Sequence, residues 1–266
     1  YGRVSRAGTA LFAGSFDHVG PLARSTRDLA AALDALQGPD AGDPVASRRP
    51  AEPCRLELTR GIAGLRFAVA DGHFARGGEP AALAAVGAVA EALGARDTVT
   101  LPEAHRARAA ATLITAAEGA QLHLPDLRAR PDEFDPLTRD RFLAGALLPA
   151  TAYVAAQRFR AWYRARVAEL FDRIDVILAP TTPYPAPRIG QERITVAGAE
   201  VPMRPTLGLY TQPLSFIGLP VITVPLARKS GLPLGVQLVA APFRESFLLR
   251  TAHYLESAGV VAAPIA

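Results

Sequence analysis

Residues 207–241 read LGLYTQPLSFIGLPVITVPLARKSGLPLGVQLVAA. Two apolar, β-branched runs, 221–226 and 234–240, flank a polar loop, 227–233, in which Gly231 and Pro233 favour chain reversal and oppose continued pairing. The pattern predicts a long β-hairpin inside a sheet. The first run lacks strict alternation, as does a strand buried on both faces between helical layers, which predicts an α/β fold rather than an open sandwich. Just upstream, Thr211, Gln212, Ser215 and Phe216 lie where a loop feeds the first strand, a place where polar groups can line a pocket.

Working outward, further strands are expected at 65–70, 97–101 and 174–179, with a short one at 10–13. Ser25 offers an N-cap, Asp28 follows three residues on, and Leu29, Leu33 and Leu36 recur at helical spacing before Gly38. Pro80 at a first helical position and Gly94 at the far end bracket a second helix. Helices are also expected at 104–124, 139–147, 151–172 and from Glu245 to Gly259, with loops at 126–136 and 40–57 and an extended excursion at 183–203. In 151–172 the apolar stripe is Phe159, Trp162, Tyr163, Val167, Leu170 and Phe171. Arg158, Arg160, Arg164 and Arg166 fall outside it and read as a solvated face.

A chain of 266 residues can bury roughly three-quarters of its unfolded surface in one α/β domain. With 50% hydrophobic and 20% charged residues, global disorder is excluded. The single cysteine, Cys54, rules out an intrachain disulfide and suits a reducing cytoplasm. No apolar run reaches the ~20 residues of a membrane span, and no signal-peptide core is present. The net charge of +4 is spread among acids without interleaved aromatics, which argues against nucleic-acid binding. The chain starts at Tyr1 and its only methionine is Met203, so residues upstream of Tyr1 are expected.

Five segments carry a resemblance: YGRVS at 1–5, FDHVGPLARS at 16–25, DVILAPTTP at 175–183, FIGLPVITVP at 216–225 and GLPLGVQLV at 231–239. In this order they resemble the amidase signature hydrolases, from just after the serine-rich signature to the C-terminal sheet. Within that family the likeness is nearest to the AtzE-type group of 1-carboxybiuret hydrolases, through LITAAEGAQLHL at 113–124, FDPLTRDRFLAGALLPA at 134–150 and APRIGQE at 186–192. The resemblance implies a mixed sheet covered by helices on both faces, of which residues 1–266 form the C-terminal part of one domain.

It also implies hydrolysis of a linear amide or urea by a serine that a second serine and a neutral lysine activate. The only lysine is Lys229, which the hairpin reading puts in a solvated turn beside Arg228, where its ammonium stays protonated. The family's lysine, bridging serine and nucleophile all precede the point matched by Tyr1. No catalytic residue is therefore assigned here, and Ser5, Ser15 and Ser25 are not promoted to fill the gap. Ser15, Asp17 and His18 contain triad residue types, but sequence neighbours do not point at one another as a triad requires, and Asp17 reads as a carboxylate satisfying backbone donors in its turn. The five histidines show no metal-ligand spacing, so neither metal nor cofactor is expected.

What this chain can supply is a substrate pocket. Arg204, Tyr210 and Gln212 are the candidate contacts, Arg204 as a bidentate partner for a carboxylate on a substrate such as carboxybiuret. The competing reading makes Arg204 a surface residue and Tyr210 a core ring whose hydroxyl meets backbone. Partners implied by the resemblance are a small helical partner subunit, the N-terminal remainder of the amidase and further copies of the chain, without nucleic acid or membrane. Two other functions stay open: the A component of an aminoacyl-tRNA amidotransferase, and a non-catalytic interaction or regulatory module.

Overall fold

The computed structural model describes residues 1–196, 198–227 and 231–263. Its helices are α1 (Thr26–Leu36), α2 (Pro80–Leu93), α3 (Ala104–Ala129), α4 (Pro136–Ala146), α5 (Ala150–Ala168), the short turns α6 (Met203–Thr206) and α7 (Gln212–Ser215), and α8 (Glu245–Ser257). Its strands are β1 (Phe67–Ala70), β2 (Asp97–Val99), β3 (Val176–Pro180), β4 (Arg193–Val196), β5 (Ala199–Pro202), β6 (Val221–Pro225) and β7 (Gly235–Val239). Five strands form one sheet in the order β2-β1-β3-β7-β6, and β4 and β5 form a separate hairpin within the proline-containing excursion. β1 runs parallel to β2 and β3, while β7 runs antiparallel to both β3 and β6. The hairpin expected from residues 221–240 is present, although Arg228, Lys229 and Ser230 of its turn lie outside the described residues.

The sheet separates two apolar layers. Ile177 and Ala179 of β3 join Ala68, Ala107, Ile114, Tyr163 and Val167 on the side of α3 and α5. Val176 and Leu178 join Val89, Leu238, Leu248 and Leu255 on the side of α2 and α8. Every residue of β3 is buried for that reason, and its uninterrupted apolar sequence follows from having helices on both faces. The caps stand where the sequence puts them. Ser25 Oγ accepts from the Asp28 N–H at 3.1 Å, Pro80 opens α2, and Gly94 closes it at φ 66°, a conformation in which a Cβ would be strained.

Four expectations are corrected. β6 is the outermost strand and is not buried on both faces: Val221 is 38% exposed, because among the described residues only β7 pairs along Val221–Val224, and the stretch 260–262 meets the other edge only from Pro225 onward. Residues 10–13 form no strand, since Asp17 Oδ2 takes the N–H groups of Phe12 and Ala13 at 2.6 and 3.0 Å. The loop expected at 126–136 is shorter, because α3 continues through Pro125 to Ala129. Leu127 there packs with Ala120 and Phe142, and this burial outweighs the hydrogen bond that proline cannot donate. Finally, Arg160 is not on a solvated face but is 7% exposed.

Candidate functional site

A cleft of about 410 Å³ opens beside the Val221–Ile222 end of β6. Two segments line it, the loop His18–Val19–Gly20–Pro21 and the stretch that includes Thr211, Ser215, Leu219 and Val221. Leu29, Leu33, Leu248 and Leu249 give an apolar floor, while Arg3, Glu245 and Gln237 bring polar groups. Gln237, 2% exposed, donates through Nε2 to the Pro180 carbonyl at 2.8 Å, so β7 presents it in one orientation. Ser215 Oγ bonds the Gln212 carbonyl at 3.3 Å.

His18 stands on the lining loop. Its Nδ1 bonds the Phe16 carbonyl and its ring meets Tyr1 edge-on at 5.4 Å. Burial first, and then the positive amine of Tyr1, bring its pKa down to about 4, so it stays neutral at physiological pH. Neither Ser15 nor Asp17 bonds it: Ser15 turns to Glu118 and Arg160, and Asp17 holds its own turn as the sequence suggests. Among the described residues no three metal-ligating side chains cluster, and no helix is long and apolar enough to cross a membrane.

The three candidate contacts sit in different surroundings. Arg204 is on the surface, its Nη1 shared between both Asp135 oxygens at 3.1 Å, which ties α6 to the N-cap of α4. Tyr210 is fully buried, donates its hydroxyl to the Arg76 carbonyl at 2.7 Å, and stacks on Phe74 at 6.1 Å. Gln212 lies against Gly208 with Oε1 buried and unbonded among the described residues. It adjoins Thr211, which does line the cleft.

Two arginines take their environment from tertiary contacts, one misread from the sequence and one not singled out in it. Arg160 is one. The other is Arg141 on α4, half-buried, bonded through Nη2 to Thr115 Oγ1 and lying 5.5 Å from the Phe12 ring centroid. Its Nε has no partner among the described residues, no carboxylate pairs with it there, and burial lowers its pKa. An uncompensated cation in such a place is costly and favours an anionic neighbour.

The profile of the Amidase family matches residues 1–249. AtzE of Pseudomonas sp. (strain ADP), a component of 1-carboxybiuret hydrolase, is 50% identical over 98% of this chain and 57% of its own length. The A component of the glutamyl-tRNA(Gln) amidotransferase from Myxococcus xanthus (strain DK1622) is 33% identical over 96% of this chain and 58% of its own. Among solved structures, an inhibitor-bound vestigial protein complex of an s-triazine catabolic enzyme superposes with a TM-score of 0.96 at 49% identity, over 100% of this chain and 58% of that one. The chain thus spans less than two-thirds of the length of these relatives.

Proposed function

The chain belongs to the amidase family, and from that premise we propose that it forms the C-terminal part of a domain that hydrolyses a C–N bond in a small carboxylated urea of the 1-carboxybiuret kind. The observation that carries this reading is the 50% identity to AtzE over 98% of the chain, with the amidotransferase relatives at 31–34%. In this reading the serine nucleophile, its bridging serine and the lysine base come from residues upstream of Tyr1. The segments of this chain supply one side of the substrate cleft.

The cleft suits that division of labour. It lies along an unpaired strand edge and joins an apolar floor to a few fixed polar groups, the usual make-up of a small-molecule site. Gln212 and Thr211 are proposed at its mouth, and Tyr210 holds their segment from below. A substrate carboxylate needs a guanidinium with donors to spare. Neither Arg204 nor Arg141 lines this cleft. Arg204 would have to leave Asp135 to serve, so Arg141, without a carboxylate partner among the described residues, is the one proposed for a part of the site that the upstream residues complete.

In this reading the protein works in the cytoplasm, as an oligomer and in company with a small helical partner. The vestigial complex named for a close structural neighbour supports a partner of some kind.

The test compares this chain alone with the same chain fused behind the amino-terminal part of AtzE. Ammonia release from 1-carboxybiuret by the fusion and none by the chain alone is the expected result, and turnover by the chain alone would overturn the assignment of the catalytic residues. In the fusion, Arg141→Gln should raise KM for the carboxylated urea about tenfold or more while sparing a neutral amide.

A further inference from the structure

Arg160 is a cation inside the protein, and none of its three nitrogens is idle. Nε donates to the Phe216 carbonyl, Nη1 to Ser15 Oγ at 2.9 Å and Nη2 to the Ser15 carbonyl at 2.7 Å. Its guanidinium carbon lies 4.4 Å from the Phe16 ring centroid and 5.6 Å from that of Phe216. The balancing charge arrives through Ser15, whose N–H and hydroxyl donate to the two Glu118 oxygens at 2.9 and 2.7 Å. Tyr153 adds a third bond to Glu118 at 3.0 Å.

A lone buried arginine is expensive, and a partly satisfied network is worse than an apolar core. A core position on α5 could be filled by methionine or leucine at less cost. What the arginine achieves, and those could not, is a simultaneous grip on two chain segments that run directly into two lining segments of the cleft. Ser15 and Phe16 lead to His18–Pro21, and Phe216 lies between Ser215 and Leu219.

We propose that Arg160 is a positioning residue of the cleft: by joining Ser15 to the Phe216 carbonyl, it sets how the His18–Pro21 loop sits against the Ser215–Leu219 stretch. The proposal rests on the reading of this cleft as the substrate-facing side, but its test needs no substrate and so can fail or succeed independently of that reading.

The test is an NMR titration of the His18 ring in this 266-residue chain, for the wild type, Arg160→Lys, Ser15→Ala and the exposed control Arg158→Lys, with thermal unfolding recorded in parallel. The groups facing His18 are the Tyr1 amine, Asp17 and Arg6, and all three are retained in every variant. If Arg160 holds the loop, Arg160→Lys should at least halve the NOE between the Tyr1 and His18 rings, now 5.4 Å apart, and move the His18 midpoint upward toward the ordinary 6.5. Ser15→Ala, which leaves the bonds to both carbonyls, should shift it in the same direction by less, and it decides the matter if Arg160→Lys does not fold. A lowered unfolding temperature with an unchanged Tyr1–His18 ring contact would reduce Arg160 to a structural residue and overturn the proposal, as would no change in either.

Discussion

Arg6 and Asp43 form a two-point ion pair inside the protein, Nε to Oδ2 at 3.0 Å and Nη2 to Oδ1 at 2.9 Å, with side chains 5% and 2% exposed. The same carboxylate accepts the Arg6 N–H at 2.9 Å, and the guanidinium reaches the Gly14 carbonyl and the Tyr1 hydroxyl. Residues separated by 37 positions are thereby fixed beside the cleft.

That pair predicts an acid-sensitive stability. The Arg6 guanidinium holds the Asp43 carboxyl well below its ordinary value of 3.8. A carboxylate depressed in the folded state adds stability above its unfolded pKa and loses it as pH falls toward the folded one. The unfolding temperature should therefore drop between about pH 5 and 2, and Asp43→Asn should lower it at neutral pH while flattening that acid limb. Thermal unfolding followed by circular dichroism at a series of pH values measures both, and an acid limb of equal slope in the variant would remove Asp43 as its cause. Asp40, held down by the Ser5 hydroxyl, Asp135, held down by Arg204, and Asp175, held down by Arg66, add to the limb with the same sign.

Gly145 provides a second test, because helix propensity and packing oppose each other there. Glycine to alanine inside a helix gains up to about 1 kcal/mol. A Cβ at Gly145, however, would run into the backbone carbonyl of Ala116 on α3, which cannot swing aside as a side chain could. Gly145→Ala should destabilise by roughly 1–3 kcal/mol as the two helices are pushed apart, measured by urea denaturation. A stabilised variant would show that α3 and α4 are not in this contact.

The free edge of β6 has its own signature in amide exchange. Leu226 N–H bonds the Leu234 carbonyl at 2.9 Å and Ala240 N–H that of Pro220 at 3.3 Å. With the register Ile222 to Leu238 and Val224 to Val236, antiparallel geometry turns the Ile222 and Val224 amides toward β7 and those of Val221 and Thr223 outward. Ile222 and Val224 should exchange slowly and Val221 and Thr223 rapidly in the chain alone. In the fusion with the AtzE amino-terminal part, Val221 and Thr223 should become protected, and exchange there that stays fast would argue against packing on this edge.

Tyr163 is fully buried, and among the described residues its hydroxyl has no partner. Removing an unsatisfied hydroxyl relieves its desolvation cost, so Tyr163→Phe should leave stability unchanged or raise it by up to about 1 kcal/mol. A loss of more than ~1 kcal/mol in the same denaturation assay would mean that the hydroxyl is bonded after all.

The sequence was most legible where one local cause acted on few residues. Ser25, Pro80 and Gly94 bound their helices as their chemistry requires, and Asp17 caps its own turn. It misled where burial depended on neighbours. Residues 221–225 and 176–180 are equally apolar, yet β3 is enclosed and β6 lies open, because sheet order and not composition decides which strand stands at the edge. Arg158 and Arg160 are two residues apart on one helix and read alike. At 3.6 residues per turn they nevertheless face opposite ways, and Arg160 falls in line with Ala156, Tyr163 and Val167, the buried face of α5; its charge hid that spacing.

What the chain's residues determined unaided were the αβ alternation, the hairpin at its centre, the helix ends and the family, since each depends on local backbone preference or on motifs in linear order. The tertiary structure alone decided that Arg204 is occupied by Asp135, that Arg141 lacks a carboxylate partner among the described residues, and that Arg160 bridges Ser15 to Phe216. Pairing of polar groups 69 or 145 positions apart is governed by how helices pack, and no spacing in the linear chain encodes it.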